Sequence, residues 1–302
     1  MTIEMDVATV ADVPRAIEAS VVIPTRNRPL ALARCLRALS EQRTNRSFEV
    51  IVVDDGSSPP TRAAELELVR HARLIRCGGV GPAAARNRGL DAAQGSFILF
   101  TDDDTAPSPH WVGSACGFLD QNLGHVGVEG PTVSPRFDAL YERSIQNDRP
   151  GAYWTCNVAY RRDALLRLGG FAEVFPAPHA EDLDLGFRAL HLGPIGFLDD
   201  MLVTHYPASV TIRDTIRRAR YVSSDMILYR RHPDRFPSIL PVPLEPTVAM
   251  LRELKGMLQQ HRREMIGTPR RFARFSVSAA GQLAVAVAIP LWSMVGHRKG
   301  TR

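Results

Sequence analysis

The sequence predicts an α/β fold on a mixed, mainly parallel sheet with helices on both faces, followed by a helical C-terminal extension. Three observations carry that expectation. Short apolar runs alternate with helix-period segments over residues 20–100, each run ends in a polar or acidic turn, and the last third becomes basic. The 302 residues, 45% of them hydrophobic, suffice for a sizeable core.

The first run, "SVVIPT" at 20–25, is a buried strand stopped at the loop "RNRP". Leu32, Cys35, Leu36 and Leu39 then recur at helical spacing. "FEVIVV" at 48–53 repeats the strand pattern and ends in Asp54, Asp55 and Gly56. Residues 61–71 read as a helix and "ARLIRC" as a third strand. "GPAAARNRGLDAAQG" opens with Gly81 and Pro82 as a helix, and "SFILF" is the next strand. Past residue 110 the reading gives two strands, a helix closed by "GG", a loop, a helix from about Glu181, and a strand leading to His205. In such a parallel sheet the loops holding Thr25, Asp55 and Asp102 lie along one edge, where open α/β sheets bind ligands.

The chemistry of that edge is carboxylate. "FILFTDDDT" delivers Asp102, Asp103 and Asp104 at a strand end, where mutual repulsion is unfavourable unless a cation or donors meet it. No G-x-G-x-x-G and no P-loop follows the first strand, so a dinucleotide fold is excluded. Mg²⁺ or Mn²⁺ between Asp104 and a diphosphate, with Asp102 on a ribose hydroxyl and Arg26 and Arg86 as donors, satisfies the charges. In "HAEDLDLGFR", Leu183, Phe187 and Leu190 form an inward stripe that leaves Asp182 elsewhere at a helix N-terminus. That position keeps Asp182 ionised as a proton acceptor; helix capping by Glu181, Asp182 and Asp184 is the alternative. His205 reads either as a third metal ligand or as a buried, hydrogen-bonded histidine.

With these motifs in order, the sequence resembles the family 2 glycosyltransferases of the GT-A, Rossmann-like type over about residues 18–207. The resemblance rests on "SVVIPTRNRP", "VIVVDDGSS", "GPAAARNRGL", "ILFTDDD", "CNVAYRRDALLRLGGF" and "AEDLDLGFR". It implies an inverting transfer from a nucleoside-diphosphate sugar, UDP foremost, to an acceptor hydroxyl. Asp182 aligns with the base and Asp55 with the nucleobase contact. Pro24, Thr25 and Arg26 line the nucleotide, and Arg86 lies near base or phosphates. Asp102 and Asp104 match D-x-D, with Asp104 the expected metal ligand and Asp103 leaving the ligand register open. Some members carry a histidine downstream of the base, where His205 stands. Trp154, Asn157 and Glu181 are expected on the acceptor side.

The expected organisation is an N-terminal extension at 1–17, a GT-A domain at 18–210 and a basic helical region at 211–302. In that region Ile212, Ile216, Ala219 and Met226 share a face apart from Arg213, Arg217 and Arg220, as for a helix on the domain or on an anionic membrane. The uncharged run 275–296 is long enough to span a bilayer but carries Gln282 and Pro290, so a span, an interfacial attachment and a soluble helix all stay open. No cleavable signal peptide opens the sequence, which places the expected enzyme in the cytoplasm at the inner membrane face, acting on a lipid-linked or polysaccharide acceptor of the cell envelope. The net charge of +5 lacks the compact basic and aromatic patch of a nucleic-acid binder. Cys35, Cys77, Cys116 and Cys156 are expected as reduced thiols. Two other functions fit less well: a sugar-1-phosphate nucleotidyltransferase, which needs a glycine-rich basic loop after the first strand, and an inactive membrane-attached sugar-nucleotide binder.

Overall fold

A computed structural model of the chain describes residues 16–138, 141–211, 214, 221–236 and 255. The membrane-associated segment expected at 275–296, the expected face at Ile212, Ile216 and Ala219, and most of the N-terminal extension lie outside the described residues. Among those described, no helix is long and apolar enough to cross a membrane.

The strands in chain order are β1 (Ala19–Thr25), β2 (Phe48–Asp55), β3 (Ala72–Cys77), β4 (Phe97–Phe100), β5 (Thr105–Pro107) and β6 (Gly127–Glu129). They continue with β7 (Thr132–Val133), β8 (Glu142–Arg143), β9 (Val158–Arg161), β10 (Ile195–Phe197), β11 (Val203–His205) and β12 (Ala208–Ser209). The helices are α1 (Pro29–Ser40), α2 (Pro82–Ala92), α3 (Trp111–Gln121), α4 (Arg162–Leu168) and α5 (Glu181–Ala189), and a further helix runs Tyr221–Arg231. A seven-stranded sheet has the order β10-β6-β9-β4-β1-β2-β3, parallel except at β9, which runs against β4 and β6. A smaller sheet, β5-β11-β7, sits beside it, and β8 pairs with β12.

Val21, Val22 and Ile23 of β1 and Val50 to Val53 of β2 have no exposed surface, as a strand covered on both faces requires. Alternation splits them between two layers. Val21, Ile23, Val50, Val52 and Leu99 pack with α1 and α3, while Val22, Ile51, Val53, Ile98 and Phe100 pack with α2, α4 and α5. Each such side chain contributes about 1.5–3 kcal/mol on burial. α2 lies tightly on β1: a Cβ on Gly89 would fall 2.3 Å from Val22 Cγ1, so only glycine admits this approach. α4 ends as its "GG" predicts, with Gly169 left-handed at φ 70° and the Gly170 amide donating to Leu165 O at 3.0 Å.

Three expectations need correction. Residues 61–71 give only a 3₁₀ turn, Ala63–Leu66, because Leu66 and Val69 drop into the core before β3 begins. α3 went unassigned in sequence, since two glycines dilute its pattern, yet Trp111, Val112, Ala115, Cys116 and Leu119 bury one face. On α5 the face toward the sheet is Leu185 and Ala189; Leu183 and Phe187 pack instead against Phe175 and against Leu228 of the helix Tyr221–Arg231. All four cysteines are free thiols, and burial pushes Cys35 and Cys116 up to about 12, so they stay protonated.

Candidate active site

The acids of "FTDDDT" occupy the turn between β4 and β5, and pairing of β5 with β11 sets His205 opposite Thr105. That register brings Asp102, Asp104 and His205 together, with one ligand atom from each inside 4.8 Å of the others. His205 Nε2 lies 3.4 Å from Asp104 Oδ1. On the other side of the ring, Ser144 Oγ is 3.0 Å from Nδ1 and donates its hydrogen to the His205 carbonyl at 2.9 Å. With that hydrogen committed, Oγ accepts from Nδ1–H, which leaves Nε2 as the ring nitrogen able to ligate a cation. Two acceptors at that distance suit a cation between them, and a hydroxyl on the second ring nitrogen is the usual support of a metal-binding histidine.

Asp102 and Asp104 gather with His205, whereas Asp103 accepts from Thr25 Oγ1 at 2.7 Å and from Arg28 Nη1 at 3.1 Å. Burial pushes its carboxyl up to about 6, against the pull of Arg28 and Thr25. Arg28 also reaches Asp104 Oδ2 at 2.7 Å. The sequence reading chose Arg26 from "RNR"; Arg26 is exposed, with its guanidinium over Gly79, and Arg28 meets the acids.

Asp55 ends β2 buried, and both oxygens accept loop amides, from Val80 at 2.6 Å and Gly81 at 2.9 Å. Asp54 holds the turn after β2 through the Ser57 and Thr61 amides, which keep its carboxyl below the ordinary range despite burial. Pro24 and Thr25 stand at the end of β1 on this edge.

Arg86, in the second turn of α2, is the link between the two acidic motifs. Its Nη2 donates to Asp102 Oδ1 at 2.8 Å and its Nη1 to Glu181 Oε1 at 3.0 Å. Arg86 Nε and Glu181 Oε2 are buried without a hydrogen-bond partner. Helix capping is not what the acids of α5 do: Glu181 holds Arg86, and Asp184 holds Arg188, Arg231 and His232. Asp182 alone among them takes a backbone amide of the helix, that of Leu183 at 2.8 Å. The expectation that a helix N-terminus keeps Asp182 ionised is reversed: burial first, then the adjacent Glu181 charge, push its carboxyl up to about 7.

Of the residues expected on the acceptor side, Trp154 is partly buried in the loop before β9. Asn157 is a packing residue. It accepts from Trp111 Nε1 at 2.8 Å and donates to the Pro131 and Met201 carbonyls at 2.9 and 2.8 Å, which uses both its amide hydrogens inside the core. Sequence reasoning passed over Glu129, whose buried carboxylate takes the Gly151 and Tyr153 amides at 2.5 and 2.7 Å and so shapes the loop before Trp154. Ser144 and His179 gave no sequence signal of their own.

Residues 20–168 match the family model described as Glycosyl transferase family 2. The pre-mycofactocin glycosyltransferase of Mycobacterium tuberculosis is 31% identical over 250 residues, which cover 74% of this chain and 50% of that protein. The hyaluronan synthase of Pasteurella multocida is 34% identical over 190 residues, 59% of this chain and 19% of that one. The chain thus spans half or less of the length of these relatives. Among solved structures, S. aureus TarS 1-349 superposes with a TM-score of 0.52 at 19% identity over 90% of both chains. The same protein in complex with UDP gives 0.53. At that identity the likeness is one of fold.

Proposed function

The chain belongs to glycosyl transferase family 2, and on that premise we propose that it transfers a sugar, with inversion, from a nucleoside-diphosphate sugar to an acceptor hydroxyl. The observation that supports this most is the bridge Asp102–Arg86–Glu181, which joins the candidate metal acids to the turn carrying Asp182. Donor and acceptor sites must adjoin in this way if one oxygen is to displace another at the anomeric carbon.

Asp104, His205 and Asp102 fit a hard divalent ion, Mg²⁺ or Mn²⁺. Such an ion, when bound, neutralises the diphosphate leaving group. Pro24, Thr25, Arg26 and Asp55 line the nucleotide, with UDP the first choice because the fold neighbour TarS was solved with UDP and with UDP-GlcNAc. Asp182, poised near neutrality, takes the proton of the acceptor hydroxyl as its oxygen attacks and the bond to the diphosphate breaks. Glu181, its carboxylate buried against Arg86, holds the turn that presents Asp182 on the acceptor side.

Residues 18–210 are the catalytic domain in this reading. A lipid-linked or polysaccharide acceptor of the cell envelope, met at the inner membrane face, suits the basic region that follows. The experiment is release of nucleoside diphosphate from UDP-, GDP- and dTDP-sugars by wild type and Asp182→Asn. Turnover lowered about 10²- to 10⁴-fold with donor binding retained supports the base; full turnover in the variant rejects it.

A further inference from the structure

The helix Tyr221–Arg231, with His232 after it, grips the turn that carries Asp182 from both sides. Before it, His179 Nε2 lies 2.8 Å from Asp225 Oδ1, and the ring stacks on Tyr221 with centroids 4.7 Å apart and planes 7° from parallel. After it, Asp184, with no exposed surface, accepts from Arg231 Nε at 2.6 Å and His232 Nε2 at 2.9 Å, besides Arg188 of its own helix. Phe187 fills the space between, against His232 and Phe236.

This grip also carries charge. Burial opposes a protonated His179, yet its bond to Asp225 prevails and raises the imidazole above its ordinary value. The groups bearing on Asp182 are Glu181 of α5, which disfavours its charge, and Arg86 of α2 and His179 of the preceding loop, which favour it. Asp182 in turn bears on Tyr160 of β9 and on Cys156, both neutral under burial.

We propose that this helix is a positioning element for the candidate base: Tyr221 and Asp225 hold the His179 ring three residues before Asp182, while Arg231 and His232 fix the same turn through Asp184. The inference rests on the reading of Asp182 as base. His179 and Asp225 are thus positioning residues, and the region after the catalytic domain acts on chemistry as well as on partner choice.

The test is a carboxyl ¹³C titration of the full chain labelled at the aspartate side-chain carbon, with the Asp182 resonance identified by its loss in Asp182→Asn. The wild-type midpoint lies near 7. His179→Gln moves it up by about half a pH unit or more, since a facing cation is removed. Asp225→Asn moves it up by less, because an anion leaves along with the proton it holds on His179. Tyr221→Phe keeps the stack and leaves the midpoint in place. An unmoved or lowered midpoint in His179→Gln with unchanged circular dichroism overturns the inference, and Asp225→Asn decides if that variant does not fold. Full turnover in Asp182→Asn together with the predicted shifts sinks only the base; loss of turnover with no shift sinks only this positioning role.

Discussion

Arg86 Nη1 in α2 and Glu181 Oε1 at the start of α5 meet at 3.0 Å, although 95 residues separate them in sequence. The same guanidinium holds Asp102, so one buried cation fixes the separation of the two acidic motifs.

Breaking that bridge should cost stability as well as geometry. Arg86→Met strands the carboxylates of Glu181 and Asp102, of which Glu181 is buried. A loss of about 3 kcal/mol in urea unfolding is expected, and a loss under 1 kcal/mol would show that water reaches the pair.

Ser144 offers a finer probe of the metal site. Ser144→Ala removes the partner of His205 Nδ1 and should weaken Mn²⁺ binding about 10- to 100-fold by calorimetry. Asp104→Ala and His205→Ala should weaken it further. Equal binding in all three variants would place the ion elsewhere.

The raised Asp182 carboxyl gives a pH signature. Its value in the folded chain, about 7 against an ordinary 3.8, means that the folded state holds this proton more tightly than the unfolded one. The associated stability is full below about pH 4 and is lost as pH rises toward 7. Asp182→Asn should therefore melt at least about 2 °C above wild type at pH 8 and level with it at pH 4, without metal or donor. A variant less stable at pH 8 would mean that the carboxylate is well satisfied as an anion.

Asn157 should behave as a packing residue. Asn157→Ala leaves Trp111 Nε1 and the Met201 carbonyl without partners, while the Pro131 carbonyl keeps the Val203 amide, so about 3 kcal/mol of stability is lost, with UDP affinity unchanged. A normal melting curve with altered acceptor use would return it to the acceptor side.

Much of this was legible in the sequence because it follows from local pattern. The apolar runs of β1, β2 and β4 are buried on both faces, so they read as strands without partners in view. The acids at their ends locate the site edge. What could not be read depends on long-range register. Asp103 turning to Thr25, Asn157 bonding Trp111, and Ser144 reaching His205 are set by which strands pair, and no short window holds both members. The ionisation of Asp182 was misjudged because a helix dipole and the adjacent Glu181 are visible in sequence, whereas the burial that weighs most against its charge is set by tertiary packing.

The central claim is a metal-dependent sugar-nucleotide site at Asp104. The most direct measurement is thermal stabilisation of wild type and Asp104→Ala by UDP-, GDP- and dTDP-sugars, each with and without Mn²⁺. The account predicts that one nucleotide raises the melting temperature only with Mn²⁺ and only in wild type. Stabilisation that ignores the metal or persists in Asp104→Ala, or none by any donor, would contradict it.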